Sequence, residues 1–560
     1  MGQQNLHANR AFRPATSRVY SDLRGLRAVA MIVAGICLLP MIAVLVAALS
    51  GGTETIAHLM QSVLPRYAGT TLLLVILVSA GTFALGVGAA WLVTMTRFPG
   101  VKLFEIALVL PLAFPAYVLA YAYTHVLDHP GIVQSTLRAV MDWGPRDYWF
   151  PEIRSIWGAA AMLVLVLYPY VYLLARAAFI QQSATTFLAA RALGNSAWVA
   201  FFKVSLPLAR PAIAGGVLLA VMETIADFGT VAYFGVQTFA TGIYTSWFSL
   251  ADRAGAAQLA LCLLSFALLL AMLERAQRGR AKYYDPSRRQ QRMAPARLYG
   301  VRAALAVVLC GVPVLFGAVL PVIVLISMGL GSEQDLLSTR YLGFIRNSLT
   351  LATVAAVLTV LAAICVGFFQ RLRPGRVASL AAYISRLGYA VPGGVIAVGL
   401  LVPFAGFDNA LDAWMRARFD ISTGLLITGS IWLLVAAYLV RFLAAALGAY
   451  EGGQMMVPAN MDAAARSLGQ TPAGTLRRVH LPILAPSLLT ALLIVFVDVM
   501  KELPATLILR PFNYDTLAVQ AYRLASDERL EGAAVPSLVI VAMGLLPVIL
   551  ICRQVGRRQG

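Results

Sequence analysis

Four carboxylates and one amine stand where hydrocarbon would surround them. Glu223 and Asp227 lie at i and i+4 in a long apolar run, and Asp498 and Glu502 repeat that spacing in the second half of the chain, with Lys501 between them. An ionisable group deep in a bilayer costs several kcal/mol, so such groups mark paths, relays or pairs. If the first run begins a span near Ala212, Glu223 sits roughly 16 Å along a helix, near mid-membrane, and Asp227 shares its face at i+4. Lys501 can pair with Asp498 at i+3, whereas its first-half counterpart is Ala226, so Glu223 and Asp227 have no base on their own helix. Gly229 and Pro504 follow each acid pair; both weaken a helix and mark a hinge or unwound turn. Two roles fit. In one, the acids line a path and make transient contacts with a cation, since hard metal ions prefer oxygen ligands. In the other, they cap the amides of broken helices or form ion pairs that close a gate.

The elements that hold these residues are legible in the composition. Of 560 residues, 60% are hydrophobic and 12% charged, against about 25% charged in a typical soluble domain, which excludes disorder and argues against an ordinary soluble enzyme. Apolar runs cover 28–50, 70–95, 104–126, 156–180, 212–235 and 255–273, then 303–329, 349–369, 379–403, 423–447, 487–509 and 535–552. Each approaches the ~20 residues of a transmembrane helix. The predicted fold is an all-α polytopic membrane protein of twelve helices, as two parallel six-helix repeats. Its parts are a basic tail (1–27), a first half (28–273), a basic linker (274–302), a second half (303–552) and a short tail (553–560). The first run is too long for a signal peptide and lacks a small-residue cleavage site.

Lysine and arginine mark the cytoplasmic side of such proteins. With the N-terminus inside, the inner segments hold 30 bases and the outer ones 12, with Arg386 and Lys501 left inside spans. Both termini are therefore expected in the cytoplasm, and the net charge of +19 reads as topology rather than nucleic-acid binding. The linker is expected to be a solvated tether, with contact to anionic headgroups of the membrane lipid as the alternative. Five cysteines, Cys37, Cys262, Cys310, Cys365 and Cys552, form no CxxC pair and read as small packing residues.

The offset that carries Glu223 to Asp498 extends to a loop. LAARALGNSAWVAFFKVSLPLARP runs from Leu188 to Pro211, and AAARSLGQTPAGTLRRVHLPILAP from Ala463 to Pro486. In each copy small residues and a base (Ala189, Ala190 and Arg191; Ala464, Ala465 and Arg466) precede a helix-ending glycine (Gly194, Gly469), an amphipathic segment and a Leu-Pro that starts the next helix (Pro207, Pro482). One copy would be an ordinary helical hairpin. Two gap-free copies at equivalent positions point to a pair of docking brackets facing the cytoplasm.

This pattern resembles the permease subunits of ABC importers, whose cytoplasmic loop carries Glu-Ala-Ala, then Gly, then Leu-Pro. Within that group the chain is most similar to the fused two-half permeases of ferric-iron importers, through PLAFPAYVLAYAYT (Pro111–Thr124), METIADFGTVAYFGVQTFATGIYTSWFSLADRAGAAQLA (Met222–Ala260), AVPGGVIAVGLL (Ala390–Leu401) and KELPATLILRP (Lys501–Pro511). The resemblance implies a bacterial inner-membrane permease that docks a cytoplasmic ATPase dimer at the brackets, with ATP and Mg on that partner and no cofactor in this chain. It also implies a periplasmic or lipid-anchored binding protein that delivers iron. Leu188 and Ala463 occupy the glutamate position of the loop, and only Asp462 offers an acid there, so docking is expected to rest on shape and apolar contact. No GxxxxGK(S/T) loop occurs, so ATP hydrolysis belongs elsewhere.

Other candidates are weaker. His125 and His129, with Asp128 between them, have i, i+4 spacing but no third ligand, so no stable metal site is expected. His480 is expected at a docking contact, and Tyr148, Trp149 and Trp247 in an interfacial belt. The alternatives are the same machine carrying thiamine, a phosphonate, a polyamine or sulfate, and an ion-gradient-driven secondary transporter, which also uses repeats and broken helices. An intramembrane enzyme lacks a paired nucleophile and base.

Overall fold

A computed structural model describes residues 16–182, 189–279, 295–335 and 338–557. Leu188, the middle of the linker and the chain ends therefore lie outside the described residues. Among the described residues, 11 helices are long and apolar enough to cross a membrane, or 12 if one bent pair is a single span. The first half contains α1 (Thr16–Ser50), α2 (Leu64–Met95), α3 (Val101–Ala107), α4 (Ala116–Leu127), α5 (Ile156–Gln181), α6 (Leu206–Ala226), the short α7 (Gly229–Tyr233) and α8 (Arg253–Gly279). The second contains α9 (Gly300–Val314), which runs on to Leu330, then α10 (Thr339–Leu372), α11 (Arg376–Leu387), α12 (Gly393–Phe419) and α13 (Ile431–Gln454). It ends with α14 (Ala459–Ser467), α15 (Leu481–Met500), α16 (Pro504–Leu509), α17 (Leu517–Ser526) and α18 (Leu530–Arg557). The starts of α2 and α10, α3 and α11, α5 and α13, α6 and α15, and α7 and α16 are all separated by one constant offset, the one that relates Glu223 to Asp498.

Several span limits differ from those read from hydropathy. The run 104–126 does not cross straight: its helices meet at 93°, because Pro115 forces Phe114 into an extended conformation (ψ 133°) and ends the preceding helical turn. In the second half, 379–403 divides into the amphipathic α11 and the long α12 around Pro392. The spans expected at 212–235 and 487–509 start earlier and stop at Ala226 and Met500. Helix α8 continues to Gly279 and α9 starts at Gly300, so helix covers both ends of the expected linker. Residues Thr96–Arg97 and Ala296–Arg297 pair as short parallel strands, fixing the last part of the linker to the first half.

The two halves exchange their first helices. Helix α1 packs against α10, α11 and α12 as well as α8, while the Gly300–Leu330 helix packs on α2, α3 and α4. Small residues make the crossings close. A Cβ on Gly399 would lie 2.3 Å from the Pro40 carbonyl oxygen, and one on Gly317 would lie 2.9 Å from Pro111. The Tyr123 hydroxyl also donates to the Phe316 carbonyl at 2.7 Å.

Overpacking a tight crossing costs about 1–3 kcal/mol. Gly399→Val is therefore expected to lower the Tm of the purified chain, whereas Gly406→Val, on the same helix with open space around it, should leave Tm nearly unchanged.

Candidate functional site

Helices α6 and α15 stop at equivalent points, and each is followed by a short break and a new helix. At the first break Asp227 has an extended ψ of 128°, so it leaves the helix and does not share the face of Glu223. Its carboxylate accepts from the Thr230 and Val231 amides at 3.1 Å each and from the Thr230 hydroxyl at 3.0 Å. Glu502 does the same in the second half, accepting from the Ala505 and Thr506 amides at 3.0 and 3.1 Å and from the Thr506 hydroxyl at 2.7 Å. A carboxylate placed there satisfies amides that have no partner within their own helix and complements the positive helix end. The break precedes the glycine and proline expected to be hinges: Gly229 and Pro504 are the first residues of α7 and α16. Gly229 makes room for an aromatic ring, since a Cβ there would lie 2.8 Å from Tyr117.

The other two acids are ion-paired. Lys501 Nζ meets Asp498 Oδ1 at 2.9 Å, as the i+3 spacing predicts. Glu223 also has a base, supplied by the other half: Arg441 Nη2 lies 3.7 Å from Glu223 Oε2, and the Tyr389 hydroxyl donates to Oε1 at 3.3 Å. Sequence reasoning missed Arg441 by counting it among the inner bases, although the run 423–447 contains it; it sits in mid-helix on α13 and is 8% exposed. The repeat held the signal, because α13 aligns with α5 and so places Arg441 within a span at the level of Val166. Arg386, expected inside a span, instead lies near the end of α11 and pairs with Glu451.

Glu223, Asp227, Arg441, Asp498, Lys501 and Glu502 line a cavity of about 90 Å³ together with Tyr117, Tyr170 and Phe442. Toward the brackets it adjoins a larger cavity of about 440 Å³, walled by apolar residues such as Leu219, Ala445, Leu493 and Val497 and ending at Asp498 and Lys501. Toward the opposite end the way is filled by rings. Tyr121 lies 5.7 Å from Tyr117 and 4.8 Å from Tyr233, and Phe228 touches both Tyr244 and, from the second half, Tyr522. Beyond them Arg154 of the first half grips Glu528 of the second through two bonds of 2.7 and 2.9 Å, reaches Asp128 at 3.1 Å, and lies over the Tyr233 ring. This hydrogen bond and the guanidinium charge hold the Glu528 carboxyl below its usual range. No sequence pattern pointed to this contact. Asp128 is thus engaged by Arg154, and His129 lies beyond the end of α4, so the two histidines do not share a helix face. Among the described residues no three His, Cys, Asp or Glu side chains come together to hold a metal.

Both brackets turn at their glycines, with φ of +85° at Gly194 and +74° at Gly469. The Asn195 amide bonds back to Ala190 and the Gln470 amide to Ala465, the helix ending for which glycine is suited. Ala190 and Ala465 face inward, while Ala189, Arg191, Ala464 and Arg466 are exposed. So are the equivalent Leu193 and Leu468, at 83% and 78%. Each bracket then enters its span through a π-helical turn, Phe201–Ser205 or Leu476–His480, ahead of Pro207 and Pro482. The prolines lack the amide that an α-turn would use there, and the wider turn accommodates its loss.

The Asp462 carboxylate is engaged within this chain. It bonds Arg371 Nε and His480 Nε2, each at 2.7 Å, and Arg371 also donates to the Val457 carbonyl at 2.7 Å. His480 is wholly buried, which corrects its expected place at a docking surface. Burial alone would raise the Asp462 carboxyl; the bonds from His480 and Arg371 outweigh it and hold the group below the usual 3.8.

Comparison with known proteins agrees with the repeat. The family model of the binding-protein-dependent transport system inner membrane component matches residues 82–283 and again 360–559. The chain is 25% identical to the Fe(3+)-transport system permease protein FbpB 2 of Haemophilus influenzae, over 90% of this chain and 92% of that one. It is 24% identical to the ferric transport system permease protein FbpB of Actinobacillus pleuropneumoniae, over 80% of this chain and 64% of the relative. It is also 29% identical to the molybdenum transport system permease protein ModB of Escherichia coli, over 34% of this chain and 81% of that one.

Removing one partner of a buried pair leaves an uncompensated charge, at about 3–5 kcal/mol. Lys501→Met should therefore lower Tm strongly, and adding Asp498→Asn should restore most of the loss. In the bracket, the Asp462 carboxyl is depressed on folding, so its stabilisation is present above the ordinary value of 3.8 and disappears as pH falls below it. Hydrogen-exchange protection of residues 459–467, corrected for intrinsic rates, should fall over that interval in the native chain and lose this pH dependence in Asp462→Asn.

Proposed function

The chain belongs to the family of inner-membrane components of binding-protein-dependent transport systems, and from that premise we propose that it is the permease of an ATP-driven ferric-iron importer, with both halves in one polypeptide. The observation that carries this reading is the charged layer between the repeats, walled by rings on one side and adjoining an apolar cavity toward the brackets on the other. The near full-length similarity to the ferric permease of Haemophilus influenzae supports the cargo.

In this reading the brackets face the cytoplasm, both termini lie there, and the conformation described is the inward-facing one. A cytoplasmic ATPase dimer, carrying ATP and Mg, docks on the exposed apolar side chains around Leu193 and Leu468. When the dimer closes, the brackets move α6 and α15. The Arg154–Glu528 contact then parts, and the path opens to a periplasmic or lipid-anchored iron-binding protein. Separation of the halves also removes Arg441 from Glu223, freeing a carboxylate for a passing cation. Glu223, Asp498, Lys501 and Arg441 are thus the path residues, while Asp227 and Glu502 hold the broken helices that frame it. A second reading, an oxyanion cargo, is favoured by the two cations in the layer and by the partial similarity to the molybdenum permease.

The test is uptake of labelled ferric iron into proteoliposomes that hold this chain with its ATPase. Uptake should require both ATP and the binding protein, and Glu223→Gln should reduce it on the order of tenfold, the scale of one 1.4 kcal/mol interaction. Uptake without the ATPase would overturn the importer reading. Molybdate transport, with iron neither carried nor competing, would replace the cargo.

A further inference from the structure

A polar cavity of about 360 Å³ lies at the end of the second half away from the brackets, between the start of α10 and the turn that joins α17 to α18. Its size falls at the lower end of the ~300–1,000 Å³ typical of small-molecule sites. Three guanidiniums line it, from Arg340, Arg523 and Arg529, against a single carboxylate, Asp527. Arg340 lies over the Phe344 ring at 5.8 Å and Arg523 reaches Asp515 at 3.5 Å, contacts that orient the two side chains without neutralising the cavity. Asp515 is already held more closely by Arg510.

The fold does not require the basic set, because at the equivalent positions of the first repeat Arg340 and Arg523 correspond to Pro65 and Phe248.

We propose that this cavity is a binding site for a polyvalent oxyanion, a phosphate or polycarboxylate held by Arg340, Arg523 and Arg529. Guanidinium forks match the paired oxygens of such anions. The same chemistry is offered by a free anion and by the phosphate of a lipid headgroup at the membrane surface.

The test is calorimetric titration of the full chain, in nanodiscs of zwitterionic lipid, with citrate and with inorganic phosphate, using chloride at matched ionic strength as reference. Citrate or phosphate should bind and chloride should not. Arg340→Gln/Arg529→Gln should weaken binding at least tenfold. Arg529→Lys, which keeps the charge and removes the planar fork, should weaken it several-fold with Tm unchanged, so the test holds even if the double variant folds poorly. Repeating the titration in discs containing phosphatidylglycerol separates the sources: competition assigns the site to a headgroup, and its absence to a free anion. No binding of either anion in zwitterionic discs, or binding that Arg529→Lys and the double variant leave unchanged, overturns the proposal.

Discussion

Everything at the centre of this molecule follows from the cost of placing charge in hydrocarbon. Each ionised group in the layer between the halves has a partner that offsets that cost, and the partners come from two sources. Asp227 and Glu502 are matched by backbone amides, which become available only because α6 and α15 break beside them. Glu223 and Asp498 are matched by bases, one from the same helix and one from the opposite half. The breaks in the helices and the contact between the halves are thus two consequences of one constraint.

The constraint also explains why the halves differ. Their helices follow the same plan and start at a constant offset, yet Arg441 and Lys501 both come from the second half and bond acids in both halves. The brackets differ likewise. The second is tied to α10 through Arg371, Asp462 and His480, while in the first the Gln182 side chain bonds the Ser205 carbonyl. Interchange of the first helices, with α1 seated on the second half and the Gly300–Leu330 helix on the first, binds the two halves over their outer surfaces while the charged layer joins them at the centre.

Much of this was legible in the sequence, for reasons that particular residues make plain. Apolar runs of membrane length and the repeat gave the all-α class and the position of the brackets, since each depends on local pattern, while the expected twelve spans become 11 or 12 among the described residues according to how the pair bent at Pro115 is counted. The i+3 pair of Lys501 and Asp498 was visible because both residues lie on one turn. What escaped was set by tertiary geometry. Arg441 lies inside the run 423–447 but was counted with the inner bases, and nothing in the pattern of one span shows that it meets Glu223 of the other half. The bond between Arg154 and Glu528 joins residues with no shared pattern. Asp462 looked like a docking acid because the sequence does not reveal that Arg371 and His480 surround it.

Solvent access to the charged layer distinguishes this arrangement most directly. With the native cysteines replaced, Ala445→Cys in the apolar cavity and Tyr121→Cys in the ring layer can be challenged by a membrane-impermeant maleimide, in right-side-out and inverted vesicles without nucleotide. Labelling of Ala445→Cys from the bracket face alone, with Tyr121→Cys protected from both faces, is the predicted result. Labelling of Tyr121→Cys from the opposite face, or of Ala445→Cys equally from both, would contradict it.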